Sequence, residues 1–176
     1  IKHIGSARLY RNHLNSFDYK YRIDVQPQIA VPIDAMKQGL RFILFNLNKK
    51  YLKVRQFGHL PPEQKFWALA FKEGDAVSKG EHYHILLHCP VERIDPINDV
   101  MMQWSKLRLH RHRDATRPMP SWVQAQSYGH VPCDELDNVP LLRVERCQHQ
   151  LGSLIYNTKH WRPISDDNPI IGICET

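Results

Sequence analysis

The sequence predicts an α+β fold in which helices pack on a largely antiparallel sheet. Residues 17–25 alternate strictly between apolar and polar side chains, which is typical of a strand with one buried face. Apolar residues between 33 and 51 recur at steps of three and four, as in a helix packed on a sheet. Two further strand-like runs, 67–73 and 82–89, flank the sequence GDAVSKG at 74–80, which is typical of a hairpin loop.

The other elements follow from the same signals. Asp34 is suited to cap the first long helix, and Pro163 to end the last one. Residues 1–16 contain Lys2, Arg8 and Arg11 and predict a basic arm or a short edge element. The rest is predicted as a helix from 96 to about 109, a strand at 122–128, a loop at 131–140, a helix at 141–161, and a tail or linker at 164–176.

Length and composition predict one domain, over residues 1–163, with a proper hydrophobic core. The chain has 176 residues, of which 42% are hydrophobic and 24% are charged, as in ordinary globular proteins. No apolar run approaches the roughly 20 residues that span a bilayer, so no membrane partner is expected. The chain begins with Ile rather than Met, which is compatible with a domain of a longer protein.

The cysteines indicate the cellular compartment, and the net charge indicates the class of partner. Cys89, Cys133, Cys147 and Cys174 have no paired spacing, which excludes a Cys-x-x-Cys zinc site and favours reduced thiols inside a cell. We therefore expect an intracellular compartment. The net charge of +6 favours a polyanionic partner.

A pair of histidines indicates a candidate metal site. His82 and His84 are separated by one residue in a predicted strand, so both side chains point to the same face. The hairpin can bring Glu73 beside them as a third, oxygen ligand. Imidazole and carboxylate together suit Mn²⁺, Mg²⁺ or a similar ion rather than structural zinc. Histidines at this spacing also occur simply as surface residues of a half-exposed sheet.

A basic segment at 106–117 is a candidate nucleic-acid contact. Lys and Arg make most of the contacts between proteins and the phosphate backbone. A solvated loop is the alternative, because most charge runs have no partner. The candidate DNA-binding residues are Lys106, Arg108, Arg111, Arg113 and Arg117.

A tyrosine and a lysine on the last predicted helix are candidate catalytic residues. Tyr156, Lys159 and His160 share one helix face, with Glu145 and His149 further back along it. A tyrosine hydroxyl near a cation can attack a phosphodiester and keep the 5′-phosphate as a phosphotyrosine. Lys159 can supply a further positive charge to the phosphate.

Together, His82-Tyr83-His84 and the later run from Tyr156 to Lys159 resemble the HUH endonuclease superfamily, in particular its single-tyrosine Rep class. The signature there is His-hydrophobe-His on a central strand, followed by a Tyr-x-x-Lys motif on a later helix. The resemblance implies an HUH-type nuclease domain at 1–163. It implies Glu73 as the third metal ligand, with His160 as the runner-up.

The resemblance also implies a function, namely metal-dependent nicking and joining of single-stranded DNA at an origin or a hairpin, with covalent attachment to the 5′ end. Roles in rolling-circle replication or transposition would follow, in the cytoplasm of a prokaryote or the nucleus of a eukaryotic host. No phosphate-loop motif is present in the chain, so any helicase would lie outside it. The alternatives are a non-catalytic module that binds single strands by stacking bases on an exposed sheet, and a metal-dependent phosphoesterase without a covalent step.

Overall fold

A computed structural model describes residues 15, 18–27, 31, 33–53, 57, 59–73, 82–92, 95–107, 125–128, 141–149, 152 and 170–173. At 33, 125–128, 141 and 170–173 the description covers the backbone alone. The elements are β1 (Tyr19–Val25), α1 (Ile33–Leu52), a 3₁₀ turn (Pro62–Gln64), β2 (Trp67–Glu73), β3 (His82–His88), α2 (Ile97–Lys106), β4 (Ala125–Tyr128), β5 (Leu141–Arg146) and β6 (Ile170–Ile173).

The strands form one sheet in the order β4-β5-β1-β3-β2-β6. Neighbouring strands are antiparallel, apart from the parallel pair β4 and β5. The predicted α+β fold with a largely antiparallel sheet is thereby confirmed. The histidine strand β3 lies in the interior of this sheet, between β1 and β2.

Both helices pack on one face of the sheet, as the sequence predicts. The hydrophobic core on that face combines Met36, Leu40 and Leu47 of α1 with Val100 and Trp104 of α2. Its strand residues are Tyr21, Ile23, Val25, Ala68, Ala70, Tyr83, Ile85, Leu87, Leu142 and Val144. Among the described residues, no helix is both long enough and apolar enough to cross a membrane.

Polar contacts fix the position of α1. The buried Asn48 side chain donates a hydrogen bond to the carbonyl of Phe66 at 3.0 Å and accepts one from the Phe66 amide at 2.7 Å. On the neighbouring turn, Lys50 and the Tyr51 hydroxyl both donate to the Asp99 carboxylate of α2. These bonds join α1 to the start of β2 and to the other helix.

The opposite face of the sheet carries a second apolar cluster, formed by Tyr19, Trp67, Leu69, Phe71 and Leu86. Burial alternates along Tyr19–Val25 as predicted, but the expectation of a single buried face is wrong at Tyr19, which lies on this face although Tyr21 lies on the core face. A register shift between these two tyrosines explains the change of face, because an extra residue at a β-bulge inverts the side chains that precede it.

The predicted last helix at 141–161 is wrong over its first residues, because Leu141–Arg146 is strand β5. Leu142 and Val144 point into the core, and Arg143 and Glu145 alternate with them, so the segment has the period of a strand. Glu145 therefore does not lie on a helical stripe with Tyr156. The C-terminal strand β6, which pairs with β2, is not predicted from the sequence either, since its residues fall in the expected tail.

Candidate metal centre

The hairpin of β2 and β3 brings together the three residues that the sequence singles out as metal ligands. Glu73 and His82 are direct partners across the two strands, and His84 follows two residues later on the same face. Glu73 Oε2 lies 3.0 Å from His84 Nε2 and 3.6 Å from His82 Nε2. The ring centroids of the two histidines are 5.0 Å apart, with the ring planes nearly perpendicular. The prediction that these three side chains converge is confirmed.

The three side chains fit a single cation. Their ligand atoms lie within 4.8 Å of one another, so this cluster can hold a metal ion. The spacings of 3.0 Å from Glu73 to His84 and 3.6 Å from Glu73 to His82 leave these ligand atoms near enough to share one small divalent cation. The His84 side chain is 9% exposed, against 22% for Glu73 and 29% for His82, so the cluster is reached from its His82 side.

The hydrogen bonding of His84 leaves a place for one further positive charge, either a proton or a metal cation. Its Nδ1 lies 2.6 Å from Asp24 Oδ1, and its Nε2 lies 3.0 Å from Glu73 Oε2. A neutral imidazole has one N–H group, so it can donate to only one of these two carboxylates. The other contact requires a second proton on the ring or a cation between nitrogen and oxygen.

Asp24 belongs to the site, although the sequence analysis did not identify it. It is the direct cross-strand partner of His84 on one side and of Arg143 on the other, so the three form a row across β3, β1 and β5. Asp24 Oδ1 accepts from Arg22 Nε at 3.1 Å, and Asp24 Oδ2 lies 3.0 Å from Arg143 Nη2. The available signal was an Asp on the polar face of a half-buried strand, but only the register shows that it meets His84.

The pKa of Asp24 lies below its ordinary value. Burial alone would raise that pKa, but the hydrogen bond from His84 and the positive charges of Arg22 and Arg143 outweigh the effect of burial. Glu145 Oε1 lies 3.8 Å from both arginines and so continues the alternation of charges along this face. The carboxylate beside His84 is therefore kept ionised.

Among the described residues, the aromatic side chains on the metal-site face do not offer an open platform for stacking bases. Tyr19, Trp67 and Phe71 are all buried, and the Tyr19 and Trp67 rings meet edge to face with centroids 5.4 Å apart. Single-strand binding by stacking needs aromatic faces that bases can reach. The described part of this face therefore resembles a second core next to a polar site.

The other residues singled out from the sequence are not brought to the cluster by the described part of the chain. Lys106 lies in the last turn of α2, exposed, and α2 packs on the sheet face opposite to the histidines. The remaining candidates lie outside the described residues: Tyr156, Lys159 and His160, and the basic residues Arg108, Arg111, Arg113 and Arg117.

Comparison of the chain with protein-family models, with curated proteins and with solved structures finds no match.

Proposed function

We propose that this chain is a metal-dependent endonuclease that nicks and rejoins single-stranded DNA through a covalent 5′-phosphotyrosine. The observation that carries the proposal is the convergence of Glu73 with His82 and His84. A carboxylate from the strand before the histidine strand is the third ligand that the resemblance to the single-tyrosine Rep class implies. The interior position of β3 in an antiparallel sheet agrees with the same resemblance.

The proposed ligand set suits Mn²⁺ or Mg²⁺. Two imidazoles and one carboxylate would leave other coordination positions to water and phosphate oxygens, as these ions prefer. The ion would supply a Lewis acid that polarises the scissile phosphate and offsets its developing charge. Glu73, His82 and His84 would hold it at the partly exposed edge of the cluster.

Tyr156 is the proposed nucleophile. Its phenolic oxygen forms a bond to phosphorus while the bond from phosphorus to the 3′-oxygen breaks. The phenolic proton passes to solvent water, and the departing 3′-oxygen takes up a proton from water to become a free 3′-hydroxyl. Attack by that hydroxyl on the phosphotyrosine reverses the step and rejoins a strand. Lys159, three residues after Tyr156, would place a positive charge near the phosphate.

Single-stranded DNA is the proposed partner. A net charge of +6 favours a polyanion, and the basic residues between 106 and 117 would contact its backbone. The burial of Tyr19, Trp67 and Phe71 gives less support to a module that works by base stacking alone. We therefore favour a catalytic function over a non-catalytic binding module.

The test is incubation of the protein with a diverse pool of labelled single-stranded oligonucleotides and Mn²⁺, followed by denaturing electrophoresis. We expect a protein–DNA adduct that survives denaturation, disappears with a chelator, and maps to Tyr156 by mass spectrometry. Tyr156→Phe should abolish the adduct and keep DNA binding. Tyr51→Phe, with its folding checked first because it loses the hydrogen bond to Asp99, is the control for loss of a tyrosine hydroxyl on the other side of the sheet.

Three results would contradict the proposal in different ways. Cleavage that persists in Tyr156→Phe would indicate a hydrolase that uses water. Binding without cleavage in any metal would indicate a binding module. An adduct on a tyrosine other than Tyr156 would keep the chemistry and reject the assigned nucleophile.

A further inference from the structure

We propose that Asp24 is a positioning residue of the metal centre, which fixes the His84 ring so that Nε2, and not Nδ1, binds the cation. The inference rests on the metal centre of the proposed function but not on DNA cleavage. It assigns a role to a side chain that is absent from the ligand cluster itself.

The contact between Asp24 and His84 is short, and the pairing of their strands determines it. The two residues are opposite each other in the antiparallel pair of β1 and β3, which brings their side chains together on one face. The distance of 2.6 Å between Asp24 Oδ1 and His84 Nδ1 is in the range of a strong, charge-assisted hydrogen bond. Little solvent competes for it, because the His84 side chain is almost buried.

The position of the ring hydrogen decides which nitrogen can bind a metal. A carboxylate can only accept, so the neutral His84 ring next to Asp24 keeps its hydrogen on Nδ1. The lone pair then resides on Nε2, which points to Glu73. Carboxylates hold metal-binding histidines in this way in many proteins, and their loss costs roughly ten- to a hundredfold in metal affinity.

Asp24 is itself held so that it supports His84 from behind and does not turn toward the cation. Arg22 Nε donates to the same oxygen that contacts His84, and Arg143 Nη2 lies 3.0 Å from the other oxygen. Arg143 approaches from β5, on the side of β1 away from His82 and Glu73, whereas Arg22 lies on β1 itself, two residues before Asp24. A carboxylate with both oxygens engaged has a fixed orientation.

Replacing Asp24 by Asn would break this arrangement whichever way the amide turns. With the amide oxygen toward His84, the NH₂ group faces Arg143, a donor against a donor. With the NH₂ group toward His84, Nδ1 must accept, and the ring hydrogen moves to Nε2. The first orientation loosens the side chain that holds the His84 ring. The second puts a hydrogen on Nε2, the nitrogen that should bind the cation. Both therefore weaken metal binding.

The test compares Mn²⁺ affinity, measured by electron paramagnetic resonance, in the wild type, Asp24→Asn and Asp34→Asn. Asp34→Asn is the matched control, because it removes the same charge from a carboxylate that is 89% exposed on α1. We expect the dissociation constant to rise about ten- to a hundredfold in Asp24→Asn and to change by less than about twofold in Asp34→Asn.

A second measurement uses the wild type, so it remains informative even if Asp24→Asn does not fold. Cd²⁺ is added to the wild type with nitrogen-labelled histidines, and His84 is assigned by the loss of its signals in His84→Gln. We expect scalar coupling of cadmium to Nε2 of His84 and a hydrogen on Nδ1. Unlike activity, this pattern reports the orientation of the ring directly.

The inference is overturned if folded Asp24→Asn binds Mn²⁺ as tightly as the wild type, or if cadmium couples to Nδ1 of His84. Absence of Mn²⁺ binding by the wild type would overturn it together with the metal centre. If the binding and coupling results hold and no DNA adduct forms, the nuclease proposal fails while the role of Asp24 stands.

Discussion

Replacing Glu73 by Gln should remove most of the stabilisation that Mn²⁺ gives to the folded chain. The change keeps an oxygen of similar size next to His82 and His84 but removes its charge. Coulomb's law with the dielectric constant of water, about 80, gives roughly 4 kcal/mol for a divalent ion about 2.1 Å from that charge. Because the Glu73 side chain is only 22% exposed, the effective dielectric constant there is lower than that of bulk water, and the figure is a lower limit. The loss corresponds to roughly a thousandfold in affinity.

Thermal unfolding with and without Mn²⁺ measures this loss. At a concentration about 100 times the wild-type dissociation constant, binding stabilises the folded state by about 2.7 kcal/mol. A chain of this length should then melt about 5–11 °C higher, since each kcal/mol is worth about 2–4 °C. At the same concentration Glu73→Gln should shift by less than about 0.5 °C.

The matched control is Glu63→Gln, which makes the same substitution at an exposed position of the 3₁₀ turn. It should keep the full wild-type shift. If Glu73→Gln also keeps that shift, Mn²⁺ binds elsewhere and the assignment of Glu73 is wrong. If the wild type shows no shift at saturating Mn²⁺, the whole cluster is not a metal centre.

Two further predictions concern the fold. Asn48→Leu should lower the free energy of unfolding by about 2–4 kcal/mol in a denaturant titration, because it leaves the buried amide and carbonyl of Phe66 without their partners; a loss below about 1 kcal/mol would contradict these hydrogen bonds. Asp99 has a pKa below its ordinary value of 3.8, because hydrogen bonds from Lys50 and Tyr51 outweigh the effect of burial, which alone would raise it. Its contribution to stability is therefore present above the unfolded pKa and is lost as the pH falls through the folded pKa. Asp99→Asn should unfold with a shallower loss of stability in acid than the wild type, and equal slopes would contradict this assignment.

Elements with a clear local period are predicted correctly from the sequence. The i, i+3, i+4 pattern of α1 persists over 20 residues, so one packing face is unambiguous. The strands at Trp67–Glu73 and His82–His88 are bounded by turn-forming residues, which fixes their extent. The convergence of Glu73 with the histidines follows, because a hairpin places the end of one strand beside the start of the next.

Strand β5 is missed because its signal is short and ambiguous. The run LLRVER combines residues of good helix propensity with a period of two that lasts only six positions. Pairing with β1 and burial of Leu142 and Val144 decide the outcome, and both depend on distant parts of the chain. Tertiary context of this kind overrides local preference.

The contacts of Asp24 with His84 and Arg143 are not predicted from the sequence, for the same reason. Asp24, His84 and Arg143 are far apart in sequence and meet only through the registers of two strand pairs. A shift by one residue would move Asp24 to the opposite face, and the bulge near Tyr19 shows that such shifts occur in this sheet. Sequence patterns give the face of a residue, whereas register gives its neighbours.

The anomalous scattering of manganese in crystals grown with Mn²⁺ tests the metal centre most directly. We expect an anomalous difference peak between Glu73 Oε2 and the Nε2 atoms of His82 and His84, with Asp24 outside the coordination sphere and against His84 Nδ1. A peak at another place, or no peak at these three side chains at saturating Mn²⁺, would contradict the account.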